Sequence, residues 1–287
     1  MIDQLKIYRG KDYVVNEYLS INQRTLDEIC DFGEREYFGL VSTFCSTPSD
    51  MMIELEQSGI DFVTISDWEF FTVYGVYSTF DKHAGDFIFN GFDFSKLKPF
   101  KDDNDEINLV GTPYYEKVDD DGVFELSIDE YNNLIDKSGC SLKICGMDCN
   151  DVDAQIIFTE NDYLNATQYL RKVHGFKYNK IKPGNKAARK MELMLAMRDR
   201  AKALENKDKS TLLEMISTMT NIDGFKYGWL DVWDMKINAF LDAVSRVQKI
   251  KNAFLLLQSG YSGFGVDLSK FSNKEKENLL NWMGSIG

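Results

Sequence analysis

Histidine is nearly absent from this chain: two occur in 287 residues. His83 and His174 fall in different regions and neither lies in a known catalytic motif, so no Cys–His or acid–base pair is nominated by sequence alone. Also missing is any apolar run approaching the roughly 18 residues that cross a bilayer, which argues against a membrane partner. The opening Met1-Ile2-Asp3-Gln4 shows no positive region leading into an apolar one. A cytoplasmic protein is the expectation. Cysteine is sparse and odd in number, five in all, which fits reduced thiols better than a disulfide framework. Asn165-Ala166-Thr167 matches a glycosylation sequon, but without export it is taken as chance. Basic charge is in deficit: the net charge is -13, and such a protein repels nucleic acid unless its cations gather on one face. No internal repeat or low-complexity tract is visible.

What the chain has is core-forming material. Hydrophobic residues make up 44%, with 20 Phe and 14 Tyr, enough for one large or two modest domains. It also has a reversal of charge. An Asp-rich stretch ends near Asp162, and Arg171 to Lys209 is densely basic, which marks a contact surface or a solvated arm.

The expected fold class is α+β: an N-terminal β-hairpin and capped helices with a small β-containing insertion, then a mostly α-helical C-terminal half. Leu5–Arg9 and Tyr13–Tyr18 around Gly10-Lys11-Asp12 predict the hairpin. Thr25-Leu26-Asp27-Glu28 is a capping box for a helix from about Leu26 to Phe44, and Ser66-Asp67-Trp68-Glu69 is another. Thr47-Pro48-Ser49-Asp50 opens a helix that Gly59 stops. From Phe87 to Phe124, short apolar fragments are broken by Pro99, Gly111-Thr112-Pro113 and Asp119-Asp120-Asp121-Gly122, a pattern of strands and turns. Ser127–Glu130 caps a short helix, and Ser141–Cys145 reads as a strand. Beyond Thr159 the pattern is helical: Tyr163–Val173 ending at Gly175, Lys186–Glu205, a helix capped at Thr211–Glu214, Met235–Gln258, and a last one from Ser272. This divides the chain into a mixed region, 1–158, with an acidic insertion at about 80–152, and a helical region, 159–287.

The constellations that might carry chemistry are incomplete. Cys140-x4-Cys145-x3-Cys149, followed by Asp151 and Asp153, lacks a local fourth zinc ligand, with His174 the only plausible distant donor; ordinary reduced thiols are the preferred reading. The runs Asp102–Glu106 and Asp119–Gly122 do not follow EF-hand spacing and read as solvated turns. Gly260–Gly265 follows a helix rather than a strand, so it is a connection and not a phosphate loop. His174, at the end of Tyr-Leu-Arg-Lys-Val-His-Gly, is expected to be partly cationic and to offset helix-end carbonyls. No catalytic, metal or cofactor-binding residue is assigned.

The basic segment is the better candidate. Apart from Phe176 and Tyr178 it lacks the aromatic platforms of a single-strand binder, so docking to an acidic protein surface is favoured, either a partner or the chain's own N-terminal half. Met191, Met194, Leu195 and Met197 form an adaptable apolar stripe, or else pack in the chain's own core. The candidate partner-binding residues are therefore Arg171, Lys172, Lys186, Arg189, Lys190, Met194 and Met197.

Three segments resemble proteins of tailed phages and prophages of Gram-positive bacteria placed with tail-assembly chaperones or tail-morphogenesis factors. They are Ile21–Glu34 with Tyr37 and Thr47–Asp50; Tyr169–Phe176; and Gly224–Tyr227 through Val232–Met235, Ser245–Asn252, Tyr261–Gly263 and Asn281–Met283. About Phe80 to Val152 departs most from that pattern. The resemblance implies a non-enzymatic assembly protein that holds tail components, for instance the tape-measure protein, in the host cytoplasm and without a cofactor. A structural role in the virion, self-association, or a nucleic-acid-associated protein using residues 171–209 are the alternatives.

Overall fold

The helices announced at Thr25, Ser66 and Ser272 begin at those caps. Thr47 and Asp50 instead close a turn, with the helix starting only at Met52; Ser210 rather than Thr211 caps the helix that follows it, and Ser127 lies outside the described residues. The computed structural model describes residues 4–101, 106–119, 122–126, 128–145, 156–205, 210–261, 265, 267 and 270–281. In α2 (Leu26–Phe32) the Thr25 hydroxyl accepts from the Glu28 amide at 3.1 Å, and the Glu28 carboxylate accepts from the Thr25 amide at 2.7 Å. Ser66 and Glu69 repeat this at α5 (Asp67–Thr72), and Thr159 and Asp162 at α8 (Glu160–His174). Each box satisfies amides that the first helical turn leaves free.

Several expectations change at the N-terminus. Leu5–Arg9 is not a strand: Gln4–Tyr8 forms α1, with Ile7 buried. Gly10, at φ +69°, closes the helix by donating to the Ile7 carbonyl, while Lys11 donates to Lys6, the left-handed stop that glycine permits. The hairpin forms one step later, between β1 (Tyr13–Val14) and β2 (Ser20–Ile21). The Asn16 side chain turns the chain there by accepting from the Tyr18 and Leu19 amides. The single helix expected over Leu26–Phe44 is two, because Gly33, at φ +107°, separates α2 from α3 (Glu34–Phe44).

After α4 (Met52–Gln57) and α5 comes α6 (Lys82–Ile88), capped by Asp81. The insertion is then organised by one long strand, β4 (Ile107–Asp119). Its first part pairs antiparallel with β3 (Lys98–Lys101) and β7 (Ile156–Phe158); the rest pairs antiparallel with β5 (Gly122–Leu126) and β6 (Cys140–Cys145). Gly111-Thr112-Pro113, expected to break the chain, lies within this strand, with Pro113 opposite Ile144. The helix after β5 is α7 (Ile128–Asn133). The C-terminal half continues with α9 (Lys186–Glu205), α10 (Thr211–Thr220), α11 (Ile237–Tyr261) and α12 (Asn273–Leu280). An α+β fold with a mostly helical C-terminal half is the observed class.

The main core crosses residue 158. Phe44 is fully buried, with the rings of Phe71, Phe80, Phe89 and Phe94 within 5.5 Å of its own and Tyr163 of α8 at 5.9 Å. Leu109 of β4, Phe158 of β7, Leu170 of α8 and Phe240 of α11 join the same cluster. A smaller core gathers Met52, Ile53, Leu55, Phe62 and Phe70. Among the described residues no helix is long and apolar enough to cross a membrane.

Candidate partner-binding surfaces

Helix α9 has two unlike faces. Leu193 and Ala196 pack on the smaller core, and Arg189 and Arg200 fall on the same side by helical spacing. Arg189 donates to Asp61 at 2.9 Å and to Glu56 at 2.5 Å, and its guanidinium lies 4.9 Å from the centre of the Phe62 ring. Arg200 pairs with Glu54. The basic helix thus meets carboxylates of its own N-terminal half, in and just after α4.

The far side of α9 and the edge of its packed side are open to solvent. Met191 and Met194 are each 63% exposed, Met197 50% and Leu204 64%; Leu195 is half-buried. Lys186 and Lys190 are exposed beside this stripe and have no ion pair among the described residues. The methionines therefore do not fill the chain's own core.

Arg171 and Lys172 belong to a different surface. Helix α8 ends at Gly175, at φ +70°, and the chain after it is pinned to the α3–α4 connection. Thr47 donates to the Asn179 carbonyl, Asn179 to Asp50, and the Ile181 amide to Ser49. Arg171 donates to the Cys45 carbonyl at 2.6 Å and stacks on Tyr178 with 5.0 Å to the ring centre. Between this wall and α11 lies a cleft of about 1000 Å³, lined by Arg171, Lys172 and Lys177 on one side and by Asn238, Asp242 and Ser245 on the other. The candidate residues thus divide: Arg171 and Lys172 line the cleft, Lys186, Lys190, Met194 and Met197 lie on the open face of α9, and Arg189 is engaged internally. Sequence reasoning missed the α11 wall, although Asn238, Asp242 and Ser245 form a polar stripe at helical spacing beside its apolar face.

His174 is structural in a way the sequence reading did not anticipate. It is buried, not a cation at an open helix end. Its Nδ1 lies 2.8 Å from the Leu170 carbonyl and its Nε2 2.8 Å from the Tyr37 hydroxyl. The carbonyl only accepts, so Nδ1 carries the proton; with burial holding the ring neutral, Nε2 accepts from the Tyr37 hydroxyl. Burial lowers its pKa to about 4 and raises that of Tyr37. Burial likewise pushes the Cys45 thiol up to about 12.

Among the described residues no group of three His, Cys, Asp or Glu side chains is placed to hold a metal. Cys140 and Cys145 are the two ends of β6. Cys149, Asp151 and Asp153 lie outside the described residues, as do Asp102–Asp105, Asp120 and Asp121. Compared with known proteins, the chain matches no family model, no curated protein and no solved structure.

Proposed function

We propose that this is a non-enzymatic assembly protein that holds an apolar helix of another protein against the open face of α9. The observation that carries the reading is the exposure of Met191 and Met194 on the side of α9 away from the packed Leu193 and Ala196, with Met197 and Leu204, one turn on from Leu193 and Arg200, exposed along its edge. Methionine suits such a surface because an unbranched, polarisable side chain repacks against partners of different shape. Full burial of a Met or Leu side chain yields about 1.5–3 kcal/mol, so covering the stripe supplies a substantial part of a stable contact once ordering costs are met. Lys186 and Lys190 beside the stripe favour a partner helix with acidic flanks.

The resemblance of Ile21–Glu34, Tyr169–Phe176 and Gly224–Met283 to phage tail-assembly proteins supplies the class of partner: a tail component such as the tape-measure protein, held in the host cytoplasm before assembly. Co-expression with the proteins encoded beside it tests this. The expected result is a complex and a gain in partner solubility, both lost on changing Met191, Met194 and Met197 together to serine. A complex indifferent to that triple change, or no complex with any neighbouring product, sinks the reading.

A further inference from the structure

We infer that the cleft between α8 and α11 is a second binding site, one that takes an acidic peptide segment of a partner protein. Its residues are not those of the open α9 face, so it stands or falls separately from the function proposed above.

From Arg171 to Lys190 the chain carries no acidic residue. Lys172 and Lys177, both exposed and without an ion pair among the described residues, line the cleft wall. The net charge of -13 makes this concentration of cation the exception on the molecule. Arg171 is already in place: the Cys45 carbonyl and the Tyr178 ring fix its guanidinium, so little side-chain freedom is lost when a carboxylate arrives.

The rest of the lining decides between polyanions. Asn165, Gln168 and Asn238 present amides that both donate and accept, matching a peptide backbone, which offers both N–H and C=O. Asp242 stands on the facing wall, where it repels phosphate and carboxylate alike; a peptide can turn its carboxylates to the lysine wall and an amide N–H to Asp242, whereas a phosphate backbone has no N–H to offer there. A single-stranded nucleic acid also needs open aromatic faces for its bases; of the two rings in the lining, Phe176 packs against His174 and the main core and Tyr178 has one face covered by Arg171. A peptide with carboxylates on one edge fits these constraints; a phosphate backbone does not.

The test is fluorescence polarisation with a labelled peptide of alternating glutamate and alanine, beside the same peptide with lysine for glutamate and a labelled single-stranded DNA. The glutamate peptide is expected to bind, with affinity falling steeply as salt rises, and the lysine peptide not to bind. Lys172→Glu with Lys177→Glu should weaken binding about tenfold or more, because two attractive charges become repulsive. Both side chains are exposed, so an unchanged melting temperature should accompany the loss. Met194→Ser should leave peptide binding intact. The proposal is overturned if the wild-type protein does not bind the peptide, or if the double variant binds it as well. DNA binding that is tighter and equally dependent on the two lysines overturns it in favour of a nucleic-acid site.

Discussion

Acid should unfold this protein in part through one buried imidazole. His174 is enclosed by Tyr37, Phe38 and Phe176, with the Leu170 carbonyl on Nδ1 and the Tyr37 hydroxyl on Nε2. Its pKa falls from 6.5 to about 4 because burial penalises the cation. In the unfolded chain the ring protonates near its ordinary value, so between about pH 6.5 and 4 the unfolded state binds a proton that the folded state refuses. The stabilisation is complete above that window, is lost as pH falls through it, and is flat below. At roughly 1.4 kcal/mol per pH unit the loss is about 3 kcal/mol. His174→Asn keeps a donor for the Leu170 carbonyl but cannot ionise. It should cost about 2–4 kcal/mol near neutrality, through the lost Tyr37 bond and ring volume. Urea unfolding of both proteins at steps from neutral to about pH 4 should show the gap closing as acid is added. Subtracting the variant removes the carboxylates common to both, Glu28 among them, whose pKa is lowered against the opposition of its own burial by the Thr25 amide and Arg24. A gap that stays constant across the range would refute the reasoning, as would a nitrogen spectrum in which the His174 ring titrates near 6.5.

Gly85→Ala should destabilise by about 1–3 kcal/mol despite the better helix former, since a Cβ there would sit 2.4 Å from the Phe92 carbonyl oxygen; thermal unfolding checks it. Arg189→Ala should cost about 1–2 kcal/mol and speed amide hydrogen exchange along α9, and Arg189→Lys should rescue little, because one ammonium cannot span Glu56 and Asp61 while stacking on Phe62. Alkylation of the native protein followed by peptide mass spectrometry should label exposed Cys30 and spare Cys45, whose thiolate burial suppresses; equal labelling would contradict the buried placement.

Where a local motif decides the structure, the sequence was legible. The boxes at Thr25 and Ser66 and the stop at Gly175 are satisfied within a few residues and need no knowledge of the rest of the chain. The errors fall where distant partners decide. Leu5–Tyr8 is too short to show a period, and its helix is held by Ile7 in the main core and by Gln23, which donates to the Ile7 carbonyl. Gly33 reads as a tolerable helix interior until its positive φ is seen. Gly111-Thr112-Pro113 looks like a turn, yet β6 and β7 recruit it into β4, and their pairing is set by residues about 30 to 45 positions away.

The basic segment was legible as charge but not as geometry, and the geometry follows a chemical distinction already present in the sequence. Arg171, Arg189 and Arg200 reach the chain's own carbonyl or carboxylates, and two of them stack on rings. Lys172, Lys177, Lys186 and Lys190 stay exposed without ion pairs among the described residues. A planar guanidinium with five donors suits a fixed site between two partners, whereas a strongly hydrated ammonium on a flexible stem costs more to immobilise. Arg198, 60% exposed and only 3.5 Å from its neighbour Asp199, is the exception. Sorting the cations by type rather than counting them therefore separates the residues that close the fold from those left facing outward. Lys172, Lys177, Lys186 and Lys190, like Met191, Met194 and Met197 of α9, are side chains the fold leaves exposed.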